Sequence, residues 1–378
     1  MTTATFPKGL EGVVAAETEM SYIDGQAGIL EYVGIPIGEL SSNSTFEETV
    51  FLLWNKRLPN QAELDAISSK INSLAEIPQG IVDAIKATPK TAEPMHVLRT
   101  MVSMLAMYDP SPNENDLDAA REKSVRILAQ APTIVAYFDR HRRGLDFVAP
   151  KQGVSFAYNF LWMLNGAEPT DAMISAFDKC MILHADHGLN NSTFTARVVI
   201  STLSDVYSAM SAAIGSLRGP LHGGANEGVM KMLNLIPTVD DAESFIMERI
   251  ANKDKIMGFG HRVYKTKDPR AKDLQGLAKQ LAEDTGNQDL YAKSSTIERV
   301  MERELGAKGI YPNVDFYSAT TYHCIGLKLD LFTPMFALSR IAGWAGHVLE
   351  QLDGNRLYRP TTQYVGPHDA PYIPMSQR

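Results

Sequence analysis

Cysteine is almost missing from this chain of 378 residues: only Cys180 and Cys324 occur, both in apolar surroundings. A dense disulfide framework is thereby excluded. Two buried free thiols in a reducing cytosol are expected rather than a bridge between them. No apolar run reaches the ~18–20 residues needed to cross a bilayer. The opening stretch MTTATFPKGLEGVVAAETEM holds three glutamates and no arginine, which suits neither a secretory signal nor an import peptide. A cytoplasmic protein is the expectation. Basic surplus is also absent, with 36 lysines and arginines against 44 acidic residues and a net charge of −8. That balance argues against general nucleic-acid binding, yet leaves room for local basic pockets that take an anionic ligand.

Strand signals are nearly as scarce. SYIDGQAGILEYVGIPI (21–37) has apolar residues punctuated by glycines, as in a hairpin or small meander. Beyond it the chain reads as helix upon helix, and the fold class is mainly α. Ser44 with Glu47 is the spacing of a capping box before TFEETVFLLWNKRLP, and Asn60 with Glu63 repeats the device. Apolar residues three and four apart predict further helices over 94–109, 115–138, 152–165, 169–186 and 193–216. Asp, Glu and Lys become frequent over 237–310 before apolar character returns in 331–352. A polar segment between apolar ones, in a chain longer than one core usually serves, predicts a smaller domain inserted into a larger one. The joints fall near 219–224 and 310–325.

Four stretches combine an ionisable residue with unusual backbone. ILHADHGLNNST (182–193) sets His184 and His187 one helical turn apart. Such a pair can serve a metal-dependent hydrolase, but no acid or cysteine stands at familiar zinc spacing, so one histidine packing while the other faces a cleft is preferred. LRGPLHGGANEGVMKML (217–233) sets His222 between a proline and two glycines at the mouth of a helix. MGFGHRVYKTKDPRA (257–271) sets His261 after glycines and adds Arg262, Lys265, Lys267 and Arg270. KGIYPNVDFYSATTYH (308–323) sets Asp315 among apolar neighbours, where a carboxylate gains proton affinity and can act as a base.

In this order HADHGLNNST, GPLHGGAN, GFGHRVYKTKDPR, PNVDFYS and FTPMFALSRIAGWAGHVLEQ…NRLYRP resemble citrate synthase, in particular its shorter bacterial and archaeal form, from about residue 10 to residue 366. The resemblance implies a large helical dimerisation domain (1–222 and 325–378) and an inserted small helical domain (223–324) that carries the CoA site and Asp315. It implies an acyltransferase that condenses acetyl-CoA with oxaloacetate and water, in the tricarboxylic acid cycle. Asp315 would be the base, His222 the donor to the thioester oxygen, and His261 the group polarising the ketone. His187, His261, Arg270, Arg340 and Arg359 would hold oxaloacetate, with Arg359 supplied by the other subunit of a homodimer. Higher assemblies such as a hexamer stay open.

Lys265, Lys308 and Arg262 would meet the CoA phosphates, and the backbone of Gly258, Phe259 and Gly260 its adenine. No metal or permanently bound cofactor is implied, and neither nucleic acid nor membrane is a partner. Gly188 stands where an acid is common in the family, which puts in doubt a bond orienting His187; Ala319 stands where glycine is common, which asks for a backbone angle that an alanine can adopt. The alternative substrate is propionyl-CoA, as in 2-methylcitrate synthase. A catalytically dead helical scaffold is the remaining alternative.

Overall fold

Residues 7–378 are described by the computed structural model. The glycine-punctuated stretch forms an antiparallel meander of β1 (Ser21–Asp24), β2 (Ile29–Tyr32) and β3 (Ile35–Pro36). Ser21 pairs with Tyr32 and Asp24 with Ile29. The turn between β1 and β2 is built by Asp24, whose Oδ1 accepts the amides of Gln26 and Ala27 at 2.9 Å each.

Sixteen α-helices follow among the described residues. The first ten are α1 (Ile37–Asn43), α2 (Phe46–Asn55), α3 (Gln61–Ser73), α4 (Gln79–Ala87), α5 (Pro94–Leu105), α6 (Leu117–Arg143), α7 (Phe156–Asn165), α8 (Asp171–His184), α9 (Asn191–Ile200) and α10 (Val206–Leu217). After the turn that carries His222 come α11 (Ala225–Asn234), α12 (Asp241–Asn252), α13 (Pro269–Thr285), α14 (Gln288–Leu305), α15 (Val314–Cys324) and α16 (Phe332–Leu352). No helix among the described residues is long and apolar enough to cross a membrane. Both cysteines are free and buried.

Two expectations need correction. The capping box of α2 is Thr45 with Glu48, not Ser44 with Glu47. Two overlapping boxes fit the sequence, and burial decides between them. Glu47 turns inward and accepts the Phe156 amide at 2.7 Å, so it is unavailable as a cap. The single helical run expected over 193–216 is two helices. Leu203 adopts a left-handed φ of 62°, and the Asp205 side chain caps α10 by accepting the Ser208 amide at 2.8 Å.

Nearly every residue of α16 is buried, so this helix is the axis on which the site is mounted. Its approach to the end of α8 requires a glycine. The Gly343 amide donates to the Ala185 carbonyl at 3.1 Å, and a Cβ at 343 would lie 2.3 Å from that oxygen. This contact sets Arg340, one turn earlier, against the carbonyl of His184, to which its Nε donates at 2.7 Å. Helix α15 packs on α11 and α13, which brings Asp315 toward the elements carrying His222 and Arg270.

Candidate active site

His222 sits in the turn that precedes α11. Gly223 has its own reason to be glycine: a Cβ there would lie 2.3 Å from the Leu217 carbonyl oxygen. Gly224 meets nothing closer than 3.9 Å, so close approach explains the first glycine and not the second. The imidazole Nε2 accepts the Ser192 backbone amide at 3.2 Å. A backbone amide only donates, so the proton of the neutral ring rests on Nδ1. Ser192 Oγ lies 2.8 Å from the same nitrogen and accepts Trp344 Nε1 at 3.1 Å, which ties the ring to α16. Burial, and secondarily the Arg340 charge, pull the His222 pKa down to about 4. The ring is therefore neutral at pH 7 through desolvation and a nearby cation, rather than through the helix end alone.

His261 shows the mirror arrangement. Its Nδ1 accepts the amides of Val263 at 3.0 Å and Tyr264 at 3.2 Å, which leaves the proton on Nε2. Burial, then Arg270, lower its pKa to about 4. His187 lies edge-on to it with ring centroids 5.3 Å apart, and burial, followed by Arg270, holds His187 well below the ordinary value. The Tyr264 hydroxyl and His187 Nε2 share a hydrogen bond of 3.1 Å. Tyr264 thus does the orienting that Gly188 put in doubt. Gly188 has a left-handed φ of 54° and donates its amide to Asp186 Oδ2 at 3.2 Å, so a glycine suits this bend. His184 packs instead: it is fully buried, bonds the Cys180 carbonyl through Nδ1 at 2.7 Å and lies edge-on to Phe336.

Asp315 occupies the first turn of α15, its amide donating to the capping Asn313 Oδ1 at 3.0 Å. Its Oδ1 is enclosed and receives no hydrogen bond among the described residues. Burial raises its pKa to about 7, Arg270 and Arg340 opposing the shift and Asp268 adding to it. The helix N-terminus favours the charged form, so ionisation stays accessible at neutral pH. A carboxyl in this condition can take up a proton and return it.

Both buried arginines hold cations where two carboxylates can be met. Arg270 forms a bidentate pair with Asp268, at 3.0 Å through Nε and 2.7 Å through Nη2, and Asp268 also caps α13. This pairing raises its already high pKa against the opposing effect of burial. Among the described residues Arg340 has no such fork partner; burial lowers its pKa to about 10 and it remains charged. Arg340 acts on His187, His222 and Asp315 alike, and Arg270 on His187, His261 and Asp315. One pair of cations thus gathers the three histidines and the aspartate of the sequence reading.

Arg359 is not part of that gathering. It is exposed, and its Nη1 donates to the Pro360 carbonyl at 2.8 Å. Among the CoA candidates, Arg262, Lys265 and Lys308 are exposed. A Cβ on Gly309 would lie 3.1 Å from the Lys265 carbonyl, which sets the two lysine-bearing segments side by side. Most backbone atoms of 258–260 are already in use. The Gly258 carbonyl accepts the Asn313 amide and the Gly260 amide donates to Tyr311, both at 2.9 Å, while the Gly260 carbonyl accepts Asn313 Nδ2 at 3.0 Å. In this bridge Phe259 lies opposite Pro312, so its own amide and carbonyl face outward. Of the adenine contacts expected, those of Phe259 remain available.

Sequence reasoning passed over Tyr264, Asp186, Ser192, Trp344 and Asp268. Asp268 had a visible signal, a cap before a proline at the first helical position. No local pattern marks the others, because their partners lie far along the chain.

Comparison with known proteins bears on this site. The family pattern "Citrate synthase, C-terminal domain" matches residues 9–361. The chain belongs to the citrate synthase family. Citrate synthase 2 of Bacillus subtilis is 48% identical, over 99% of this chain and 100% of the relative. A Deinococcus radiodurans citrate synthase is 47% identical over 98% of each, and a citrate/2-methylcitrate synthase of Bacillus subtilis is 39% identical over 96% and 97%. The solved citrate synthase of Thermoplasma acidophilum, a ternary complex with carboxymethyl coenzyme A and oxaloacetate, overlaps with a TM-score of 0.94 at 34% identity over 100% of both chains. Members of the citrate synthase family are acyltransferases, and the mainly helical fold with a small three-stranded meander is shared with solved citrate synthases. Among the described residues no three His, Cys, Asp or Glu side chains are gathered to hold a metal.

Proposed function

We propose that this protein joins the methyl carbon of acetyl-CoA to the ketone carbon of oxaloacetate and hydrolyses the resulting thioester to citrate and CoA. One feature supports this reading: the charge of the same buried cation, Arg340, bears on both a neutral imidazole with its proton on Nδ1, His222, and a carboxyl that burial raises toward neutrality, Asp315. Removing a proton from a thioester methyl moves charge onto the thioester oxygen. Asp315 takes the proton and His222 Nδ1–H meets the oxygen, so base and oxyanion donor act on opposite ends of one enol. The enol carbon attacks the ketone, whose oxygen receives the Nε2 proton of His261. Water then cleaves the citryl thioester: its hydroxyl adds to the acyl carbon and its proton restores His261 Nε2, Asp315 returns the methyl proton to the departing CoA sulfur, and the new carboxyl group releases one proton to solvent.

Arg270 and Arg340 hold the oxaloacetate carboxylates with His187 beside them. Arg359 is assigned to the site of a second copy. Its exposure supports this, as does the surrounding tail, where Leu357, Tyr364, Val365, Tyr372 and Met375 expose apolar surface. The division into 1–222 with 325–378 and an inserted 223–324 is supported by the polar character of α12–α14 and by the non-helical turns flanking α11 and α15. Lys265 and Lys308, adjacent and exposed, are placed at the CoA phosphates, with Arg262 nearby. Buried free thiols suit a cytoplasmic setting.

Free thiol release, followed with acetyl-CoA and with propionyl-CoA, each with and without oxaloacetate, tests the proposal. Release that needs oxaloacetate, persists in chelator and favours acetyl-CoA is expected. A clear preference for propionyl-CoA makes the protein a 2-methylcitrate synthase, and release without oxaloacetate overturns the reading.

A further inference from the structure

The N-terminal meander touches both halves of the histidine cluster. Toward His187 it presents the Ser21 hydroxyl to Asp186 Oδ2, and the Tyr32 hydroxyl accepts the Asp186 amide at 3.1 Å and donates to the Asp186 carbonyl at 2.9 Å. Toward His261 it presents the β1–β2 turn. There the Gly25 carbonyl accepts the Lys265 amide at 2.8 Å, and a Cβ at position 25 would lie 2.2 Å from the Val263 carbonyl oxygen and 2.7 Å from its carbon. At the other end of the turn, a Cβ on Gly28 would lie 2.8 Å from Thr266 Cγ2.

The peptide units that rest on Gly25 are those that fix His261. Val263 N–H and Tyr264 N–H both donate to His261 Nδ1, and the Val263 carbonyl on the opposite side of the same residue faces Gly25. Tyr264 in turn reaches His187. We infer that Gly25 is a positioning residue for oxaloacetate binding: the preformed β1–β2 turn is a seat onto which the 261–267 loop docks, fixing His261 and Tyr264 over His187. Closure between the two proposed domains would make and break this seat. The inference rests on the activity proposed above for its kinetic consequences, but not for its structural ones.

The backbone itself does not demand glycine at 25, since Gly25 is not among the positive-φ residues whereas Gly28 has φ 69°. Gly25→Ala therefore leaves the hairpin intact and adds a methyl only where the loop must dock. Overpacking of this kind, against a carbonyl that cannot rotate away, shifts a docking equilibrium by about tenfold to a hundredfold. Gly276→Ala, at a helical glycine with nothing within 4 Å, serves as the control.

Hydrogen exchange of the amides of Val263, Tyr264 and Lys265, with and without oxaloacetate, reads the seat directly, and steady-state kinetics read its use. The expected result is faster exchange at these amides in Gly25→Ala, and a KM for oxaloacetate raised by about tenfold to a hundredfold with kcat falling less. The melting temperature of the unliganded protein should match wild type, while the KM for acyl-CoA should rise as well, because Lys265 and Arg262 are carried by the same loop. Wild-type exchange and wild-type KM in Gly25→Ala overturn the inference. So does a loss of kcat with unchanged KM and a lowered melting temperature, which is the signature of a general folding defect. Should the wild-type protein show no oxaloacetate-dependent turnover, the proposed activity fails, and the exchange pattern alone still decides whether the seat exists.

Discussion

Replacing Asp315 by asparagine should make this protein more stable and nearly inactive. Burial is the main cause that lifts the Asp315 pKa from 3.8 to about 7. Between those values the folded chain keeps a proton that the unfolded chain has released. The associated stability is fully present below about pH 4 and is lost as the pH rises through about 7. Three pKa units correspond to about 4 kcal/mol at ~1.36 kcal/mol per unit, so the ionised carboxylate costs roughly that much above pH 7. Asparagine keeps the shape of the protonated acid and escapes the cost. With an unfolding entropy of ~2.1 cal/mol/K per residue, 4 kcal/mol is about 5 °C for a chain of this length. Melting temperatures of wild type and Asp315→Asn measured from pH 4 to 9 are therefore expected to coincide in acid and diverge upward from about pH 5, the variant melting higher. Turnover should fall by at least ~10²-fold, as for loss of a general base. A gap that is flat with pH, or a variant less stable at pH 8, refutes the assignment of a desolvated charge to this residue.

The acid limb of kcat/KM for acetyl-CoA should bend near pH 7, reporting Asp315, and no histidine-like limb should appear between pH 5 and 6, because burial holds His222 and His261 near 4. A limb that survives in Asp315→Glu at an unchanged pH assigns it elsewhere. Arg359→Ala should weaken oxaloacetate binding, and mixing its subunits with Asp315→Asn subunits should restore partial activity through hybrids carrying one intact site. Absence of any restored activity argues against a site completed by the second copy.

Much of the architecture was legible because helices announce themselves locally. The Asn60–Glu63 box and the three- and four-residue apolar spacing of 94–109 reappear as α3 and α5. Where local signals were doubled, tertiary contact chose between them, as when the Phe156 amide drew Glu47 inward and left Thr45 to cap α2. The break between α9 and α10 was hidden because apolar spacing runs on across it. Residue types that carry chemistry were visible in the site, since a histidine among glycines and an aspartate among apolar residues are unusual neighbours. The residues that orient them were not. Tyr264 and His187 are 77 positions apart, and a single phenol in a cationic loop carries no local sign of a distant histidine partner. The glycines of the β1–β2 turn read simply as turn residues, although Gly25 is small because another segment lies against it. Arg359 looks ordinary in a single chain, since its neighbours would belong to a second one.

Proton exchange at the acetyl methyl examines the central claim without requiring condensation. The protein is incubated in heavy water with acetyl-CoA and a dicarboxylate that lacks the electrophilic ketone, and deuterium in the acetyl group is followed by mass spectrometry. Asp315 as base and His222 as oxyanion donor predict incorporation in the wild type that vanishes in Asp315→Asn and drops by ~10²–10³-fold in His222→Ala. No incorporation in the wild type, or incorporation that persists without Asp315, would contradict the account.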